Sequence, residues 1–153
     1  MAYEFKAIRR VEFSDTDMAG IMHYSNFFRF METAEHAFFR SLGLSIVTDK
    51  VDPPVGWPRV RAQCDYKAPL KFEDEVEVHL LVSEKKSKVL SYVFKFRKLN
   101  ASPPVEVARG ALTVVCVRRR RDGSMAACTI PDVVARKIQT APARLLGGNT
   151  NAG

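Results

Sequence analysis

The sequence predicts an α+β fold in which an antiparallel sheet wraps around one long central helix. From Phe27 to Leu42, apolar residues recur at three- and four-residue intervals (Phe27, Phe30, Met31, Ala34, Phe38, Leu42), the spacing of a helix with a buried stripe. One extended pattern precedes this stretch and four follow it in succession. No internal repeat or linker divides residues 1–140, so these elements share one core. A lone helix beside a run of strands buries its apolar face only if the sheet curls around it.

Taken in order, residues 3–14 alternate loosely, with Tyr3, Phe5, Ala7, Val11 and Phe13 apolar, as in a strand with one buried face. A loop, Ser14 to Ala19, follows; Asp15, Thr16 and Gly20 are turn formers, and Gly20 is free to adopt positive φ. Ser25 and Asn26 are N-cap candidates for the helix, which stops near Gly43. Phe28, Ala37 and Phe39 widen its stripe, so the helix is expected to be wrapped by a sheet or wedged against a partner subunit. Pro53, Pro54, Gly56 and Pro58 make residues 45–58 irregular. The four later strands are predicted at 60–66, 75–83, 89–98 and 105–118. Ser87 to Arg97 shows the cleanest period of two, with Leu90, Tyr92, Phe94 and Phe96 on one face. Asp122-Gly123 is a turn, a short helix is predicted from Pro131 to about Gln139, and residues 141–153 read as a flexible tail.

The 153 residues are 46% hydrophobic and 27% charged, ordinary values for a single globular domain long enough to bury a core. Apolar runs are broken well before the roughly 18 residues a membrane helix needs, and the first ten residues lack the apolar block of a signal peptide. A cytoplasmic protein with no membrane partner is expected. Cys64, Cys116 and Cys128 are odd in number and form no CxxC pair, which predicts reduced thiols rather than a disulfide framework or a zinc knuckle. The three histidines are too scattered for a metal site, and none is expected. A net charge of +7 favours anionic partners without choosing among nucleic acid, acidic lipid and a phosphate-bearing cofactor.

The stretch from Phe13 to Phe39 is the one the chain is organised around. A carboxylate in a turn leading into a helix sits near unsatisfied N–H groups and a positive dipole end, which stabilise developing negative charge. Asp17 is that carboxylate; the competing role is a turn or capping group, for which Asp15 is equally available.

The element order and the run Asp17-Met-Ala-Gly-Ile-Met-His-Tyr-Ser-Asn-Phe27 resemble the hotdog-fold acyl-CoA thioesterases, in the 4-hydroxybenzoyl-CoA thioesterase-like branch. The likeness spans residues 5–135 and includes GWPRVRAQCDYKAPLKFEDEVEV and VARGALTVVCV as core strands. The resemblance implies hydrolysis of an aromatic or short- to medium-chain acyl-CoA. Asp17 would act as nucleophile or as general base on water. The backbone N–H of Tyr24 would polarise the thioester carbonyl, and Gly20 would keep the loop slim beneath the substrate. His23, Ile21, Asn26 and Phe27 would line the substrate pocket. Glu32 either faces the acyl group or is a surface charge. Arg118, Arg119, Arg120, Lys86 and Lys88 would hold coenzyme A phosphates by charge-assisted hydrogen bonds, or else form a solvated basic face. Coenzyme A enters as part of the substrate, with no further cofactor. Family members join their sheets across subunits, which implies a homodimer or homotetramer with the site between protomers.

A hotdog hydratase is the nearest enzymatic alternative, but its histidine falls five residues after the aspartate and His23 falls six after Asp17. No GxSxG elbow is present and no cysteine has a nearby histidine. A non-catalytic anion- or nucleic-acid-binding module would interleave aromatics with its basic clusters; here the phenylalanines sit at core-periodic positions instead, so no nucleic acid is expected.

Overall fold

The computed structural model describes residues 1–47 and 51–147. Its elements are β1 (Glu4–Arg10), a 3-10 turn (Phe13–Asp15), α1 (Asn26–Ser41), β2 (Val55–Gly56), β3 (Arg59–Tyr66), β4 (Glu75–Lys85), β5 (Val89–Lys98), β6 (Val105–Val115), β7 (Val117–Arg119), β8 (Met125–Ala127), α2 (Asp132–Ala135) and α3 (Ala143–Leu146). The five long strands form one sheet in the order β1-β4-β5-β6-β3, every neighbouring pair antiparallel. Of the four successive strands, only β4, β5 and β6 pair in chain order as a meander. Instead of pairing with β4, β3 crosses to the far edge and pairs with β6, so β1 and β3 are the two edges.

The helix forms where its periodicity places it and buries Phe27, Phe30, Met31, Ala34, Phe38 and Phe39. It ends in a Schellman motif, with Gly43 at φ +73°, Leu44 N–H donating to Phe39 O and Gly43 N–H to Arg40 O. The inner face of the sheet presents Val78, Leu80, Tyr92, Phe94, Phe96, Leu112 and Val114 to the same core. At Gly110 the tip of the buried Met31 side chain fills the space of a side chain, and a Cβ would lie 2.2 Å from Met31 Cε. A side chain there would overpack the core, so the glycine is set by packing rather than by backbone conformation.

Several boundaries differ from the sequence expectation for physical reasons. The last long strand breaks at Cys116, and Val117–Arg119 leaves to join a separate three-stranded sheet, β2-β7-β8. Its β2 lies inside the proline-rich segment expected to carry no regular element. The expected helix from Pro131 shrinks to one turn, α2. Residues 141–147, assigned by the sequence to a flexible tail, are tied down: Ala141 N–H donates to Val82 O at 2.8 Å and Lys95 Nζ to Leu145 O at 2.6 Å. The rest of that expected tail, 148–153, lies outside the described residues. The three cysteines are free.

Glu35 brings a charge into the core. Glu35 is fully buried on α1 and pairs with Arg59 at the start of β3, beside the buried Tyr92. Arg59 also donates to Trp57 O at 2.9 Å, so the pair ties the middle of the helix to the outer end of the edge strand. Burial raises the Glu35 carboxyl above its ordinary 4.5, and the Arg59 charge and hydrogen bond oppose that shift. The folded state therefore holds this proton more tightly than the unfolded chain; the resulting stability is present below 4.5 and is lost as pH rises through the folded value. In Arg59→Met the opposing charge is gone. Denaturant unfolding of that variant should show a loss of about 3–5 kcal/mol at neutral pH, with a steeper decline of stability from pH 5 to 8 than in the unaltered chain. An unchanged pH slope would show that Arg59 does not hold Glu35 ionised.

Candidate active site

The loop between β1 and α1 is built by main-chain hydrogen bonds that a few side chains complete. Asp17 N–H donates to Ile21 O and Gly20 N–H to Asp17 O, both at 3.0 Å, closing a small hairpin bridged at Thr16 and Met22. Gly20 turns its corner at φ +78°. The two candidate carboxylates divide the work. Asp15 Oδ2 accepts from Glu12 N–H at 2.8 Å, while Asp15 O accepts from both His23 N–H and Asn26 Nδ2, each at 2.8 Å. Asp15 thus does the structural duty. Asp17 Oδ1 accepts from Ala19 N–H at 2.8 Å, and its other oxygen takes no hydrogen bond among the described residues.

The same bonds orient the peptide between His23 and Tyr24. His23 O accepts from Asn26 N–H at 2.9 Å, along the helix, and in a trans peptide the N–H of Tyr24 then points the opposite way, out past the helix start. That N–H has no acceptor among the described residues. On its far side Tyr24 is fixed by Tyr66, whose hydroxyl donates to Tyr24 O at 3.0 Å. Burial, and next the neighbouring Cys64, push the Tyr66 phenol up to about 12, so it remains a protonated donor.

Asp17, Ile21, Tyr24 and Phe27 line an open cleft of about 420 Å³ with Met22, Tyr66, Lys67 and the segment Ala68–Leu70. Phe27 packs edge-on against Tyr66 with ring centroids 5.0 Å apart, forming an apolar wall. Other expected pocket residues lie elsewhere. His23 stacks on Tyr24 and its Nδ1 contacts Ser25 Oγ at 2.7 Å, which also removes Ser25 from capping duty. Asn26 is taken up by Asp15 O, and Glu32 is exposed on the outer side of α1. The acidic residue that does face inward is Glu35, in the Arg59 pair rather than in the cleft.

The basic residues are not gathered at this cleft within one chain. Arg118 and Arg119 lie on β7 and Arg120 just beyond it, while Lys86 and Lys88 flank the β4–β5 turn. Arg118 and Lys88 line a different cleft of about 480 Å³ with Cys128, Thr129 and Pro131. That cleft is at the Arg59 end of β3, whereas Asp17 is at the Tyr66 end; seven residue steps of strand separate them by about 23 Å. Tyr66 and Lys67 were not expected in the site. They come from a strand end more than forty positions away, and only the pairing of β3 with β6 brings them there.

A carboxylate on a strand-to-helix loop and a free N–H just before the helix thus line one cleft, in a fold of one long helix packed on an antiparallel sheet. The chain belongs to the thioesterase-like superfamily, whose family model matches residues 11–138. A solved gentisyl-coenzyme A thioesterase is 33% identical and superposes with a TM-score of 0.72, covering 86% of this chain and 99% of that one. A 1,4-dihydroxy-2-naphthoyl-CoA hydrolase of Synechococcus sp. (strain CC9902) is 26% identical over 136 residues, 86% of this chain and 87% of its own length. The 4-hydroxybenzoyl-CoA thioesterase of Pseudomonas sp. strain CBS-3, at 21% identity, shares the fold with a TM-score of 0.78 over 88% of this chain and 99% of that one.

Asn26 anchors the loop to the helix, so Asn26→Ala should loosen the loop without unfolding the core. Loss of one such bond, about 1 kcal/mol, predicts amide exchange at Gly20 and His23 about 5- to 10-fold faster, with the middle of α1 unchanged. Equal acceleration at both places would show that Asn26 acts on global stability instead.

Proposed function

We propose that this chain hydrolyses acyl-CoA thioesters, with water as co-substrate and a free acid and coenzyme A as products. What carries the reading is that the unbonded oxygen of Asp17 and the unbonded N–H of Tyr24 belong to residues lining one cleft. A thioester carbonyl whose oxygen takes the Tyr24 N–H would place its carbon within reach of Asp17. As charge builds on that oxygen, a donor of this kind contributes about 3 kcal/mol to the transition state. Asp17 then has two possible roles. As nucleophile, its oxygen bonds to the acyl carbon, the C–S bond breaks, the thiolate leaves and is protonated, and water opens the mixed anhydride. As general base, it takes a proton from a water that attacks the same carbon, the C–S bond breaks, and the departing thiolate receives that proton. After a single turnover in ¹⁸O-water, label in Asp17 identifies the nucleophilic route with water opening the anhydride at the Asp17 carboxyl carbon, because the general-base route puts label only in the acid product.

The substrate's phosphates need cations, and the partner subunit supplies them in this reading. β3 is a free edge, and a two-fold axis beside it would pair two copies of the strand antiparallel. That pairing sets the Arg59 end of one protomer, with Arg118, Arg119, Arg120, Lys86 and Lys88, next to the Tyr66 end of the other, where Asp17 lies. The homodimer is the smallest assembly that completes the site; a homotetramer would contain the same pair.

Release of free thiol from a panel of aromatic and fatty acyl-CoAs tests this. Asp17→Asn should lower turnover by at least about 100-fold. Wild-type turnover in that variant would remove Asp17 from the chemistry. Replacing Arg119 and Arg120 by Ala should raise KM far more than it lowers kcat, and an unchanged KM would remove them from the coenzyme site.

A further inference from the structure

Asp17 forms part of two clefts. Besides the one it shares with Tyr24, it lines a second of about 490 Å³ with Phe13, Thr16, Met18, Gly20 and Phe72. The two share no other lining residue. The first opens toward β3, since Tyr66 ends that strand and Lys67 and Ala68 follow it. The second is on the β1–β4 side, because Phe13 follows β1 and Phe72 precedes β4, where Val11 N–H donates to Asp74 O and Glu73 N–H to Val11 O.

Their chemistry differs as well. The β3-side cleft holds a cation, Lys67, whose only ion-pair partner among the described residues is Glu106 at 3.3 Å. The β1-side cleft holds no charged group except Asp17 itself. Its walls are aromatic and bare: Phe13 is 77% exposed and Phe72 48% exposed, and they meet edge to face with centroids 6.0 Å apart. Exposed rings in contact beside a reactive group form a surface suited to an apolar or aromatic ligand.

We infer that Asp17 divides the substrate, with the acyl group lying against Phe13 and Phe72 on the β1–β4 side and the coenzyme A arm leaving past Lys67 on the β3 side. This rests on the thioesterase reading above and adds the direction of the substrate and the residues that select its acyl group. A polyanionic arm belongs on the side that carries the cation. An uncharged acyl group belongs where burying it removes exposed ring surface from water. The orientation makes Phe13 and Phe72 specificity residues for bulky apolar acyl groups, and Lys67 a determinant of coenzyme affinity indifferent to the acyl group.

The test measures binding to the full chain carrying Asp17→Asn, so that turnover does not interfere, with benzoyl-CoA and free coenzyme A as probes in titration calorimetry. The benzoyl group should tighten binding relative to coenzyme A alone. Adding Phe13→Ala and Phe72→Ala should reduce that advantage by about 10-fold while leaving the affinity for coenzyme A itself unchanged. Adding Lys67→Ala should weaken both probes by the same factor, about 3- to 10-fold, and preserve the benzoyl advantage. An unchanged benzoyl advantage without the two rings, or a loss confined to benzoyl-CoA without Lys67, overturns the orientation. So does a shift of the double phenylalanine variant to a smaller species in size-exclusion chromatography, since the rings would then be a subunit contact. Should the unaltered chain hydrolyse no acyl-CoA and its Asp17→Asn form bind neither probe, the thioesterase reading itself fails; hydrolysis with the ring variants indistinguishable rejects only the orientation.

Discussion

The structure depends most on a main-chain oxygen, Asp15 O, which receives both the His23 N–H and the Asn26 side-chain amide. These two bonds fasten the loop after β1 to the first turn of the central helix. Because Asn26 N–H simultaneously holds His23 O, the His23–Tyr24 peptide has one orientation, with its N–H directed out past the helix start. The proposed site is therefore pre-organised by backbone geometry, which is the condition under which a hydrogen-bond donor lowers a barrier instead of spending its energy on reorientation. Asp17 can keep an oxygen unbonded because Asp15 supplies the turn and anchoring bonds that a loop carboxylate would otherwise provide.

The residues proposed to complete the site are spread between the two ends of the sheet. At one end β3, β4 and β6 bring Tyr66, Lys67 and Phe72 around the loop; at the other, β7 and the β4–β5 turn carry the basic run. In the proposed dimer, a strand edge paired with its own copy in antiparallel sense would bring these ends together without any change of fold. The buried Glu35–Arg59 pair is the internal counterpart of this arrangement, because it fixes the helix relative to the far end of that same edge. A buried pair is not a strong source of stability, but it is demanding in geometry, since either charge left alone is costly.

Local patterns carried much of this. The stripe from Phe27 to Leu42 and the alternation from Leu90 to Phe96 each follow from one period, and both elements form where their residues place them. The turn holding Asp17 and Gly20 before the helix was legible because it is a local feature, whereas the chemical role expected of Asp17 came only from the family resemblance. Long-range pairing was not legible: nothing within RVRAQCDY says that β3 pairs with β6 rather than β4, so Tyr66 and Lys67 were missed. Glu35 had a signal that was overlooked. It lies four residues after Met31 and three before Phe38, squarely in the buried stripe, whereas Glu32 is off it. The basic residues were recognised as a cluster by composition, but composition carries no information about which end of a sheet a cluster occupies.

The central claim is that a thioester is held with its carbonyl oxygen at the Tyr24 N–H and its acyl carbon beside residue 17. The most direct measurement is a crystal structure of the Asp17→Asn protein with an intact aromatic acyl-CoA bound. The account predicts the carbonyl oxygen about 3 Å from Tyr24 N, the amide of residue 17 against the acyl carbon, and the acyl and coenzyme arms on opposite sides of the loop. A thioester bound away from this loop, or one whose carbonyl points away from Tyr24, would contradict it.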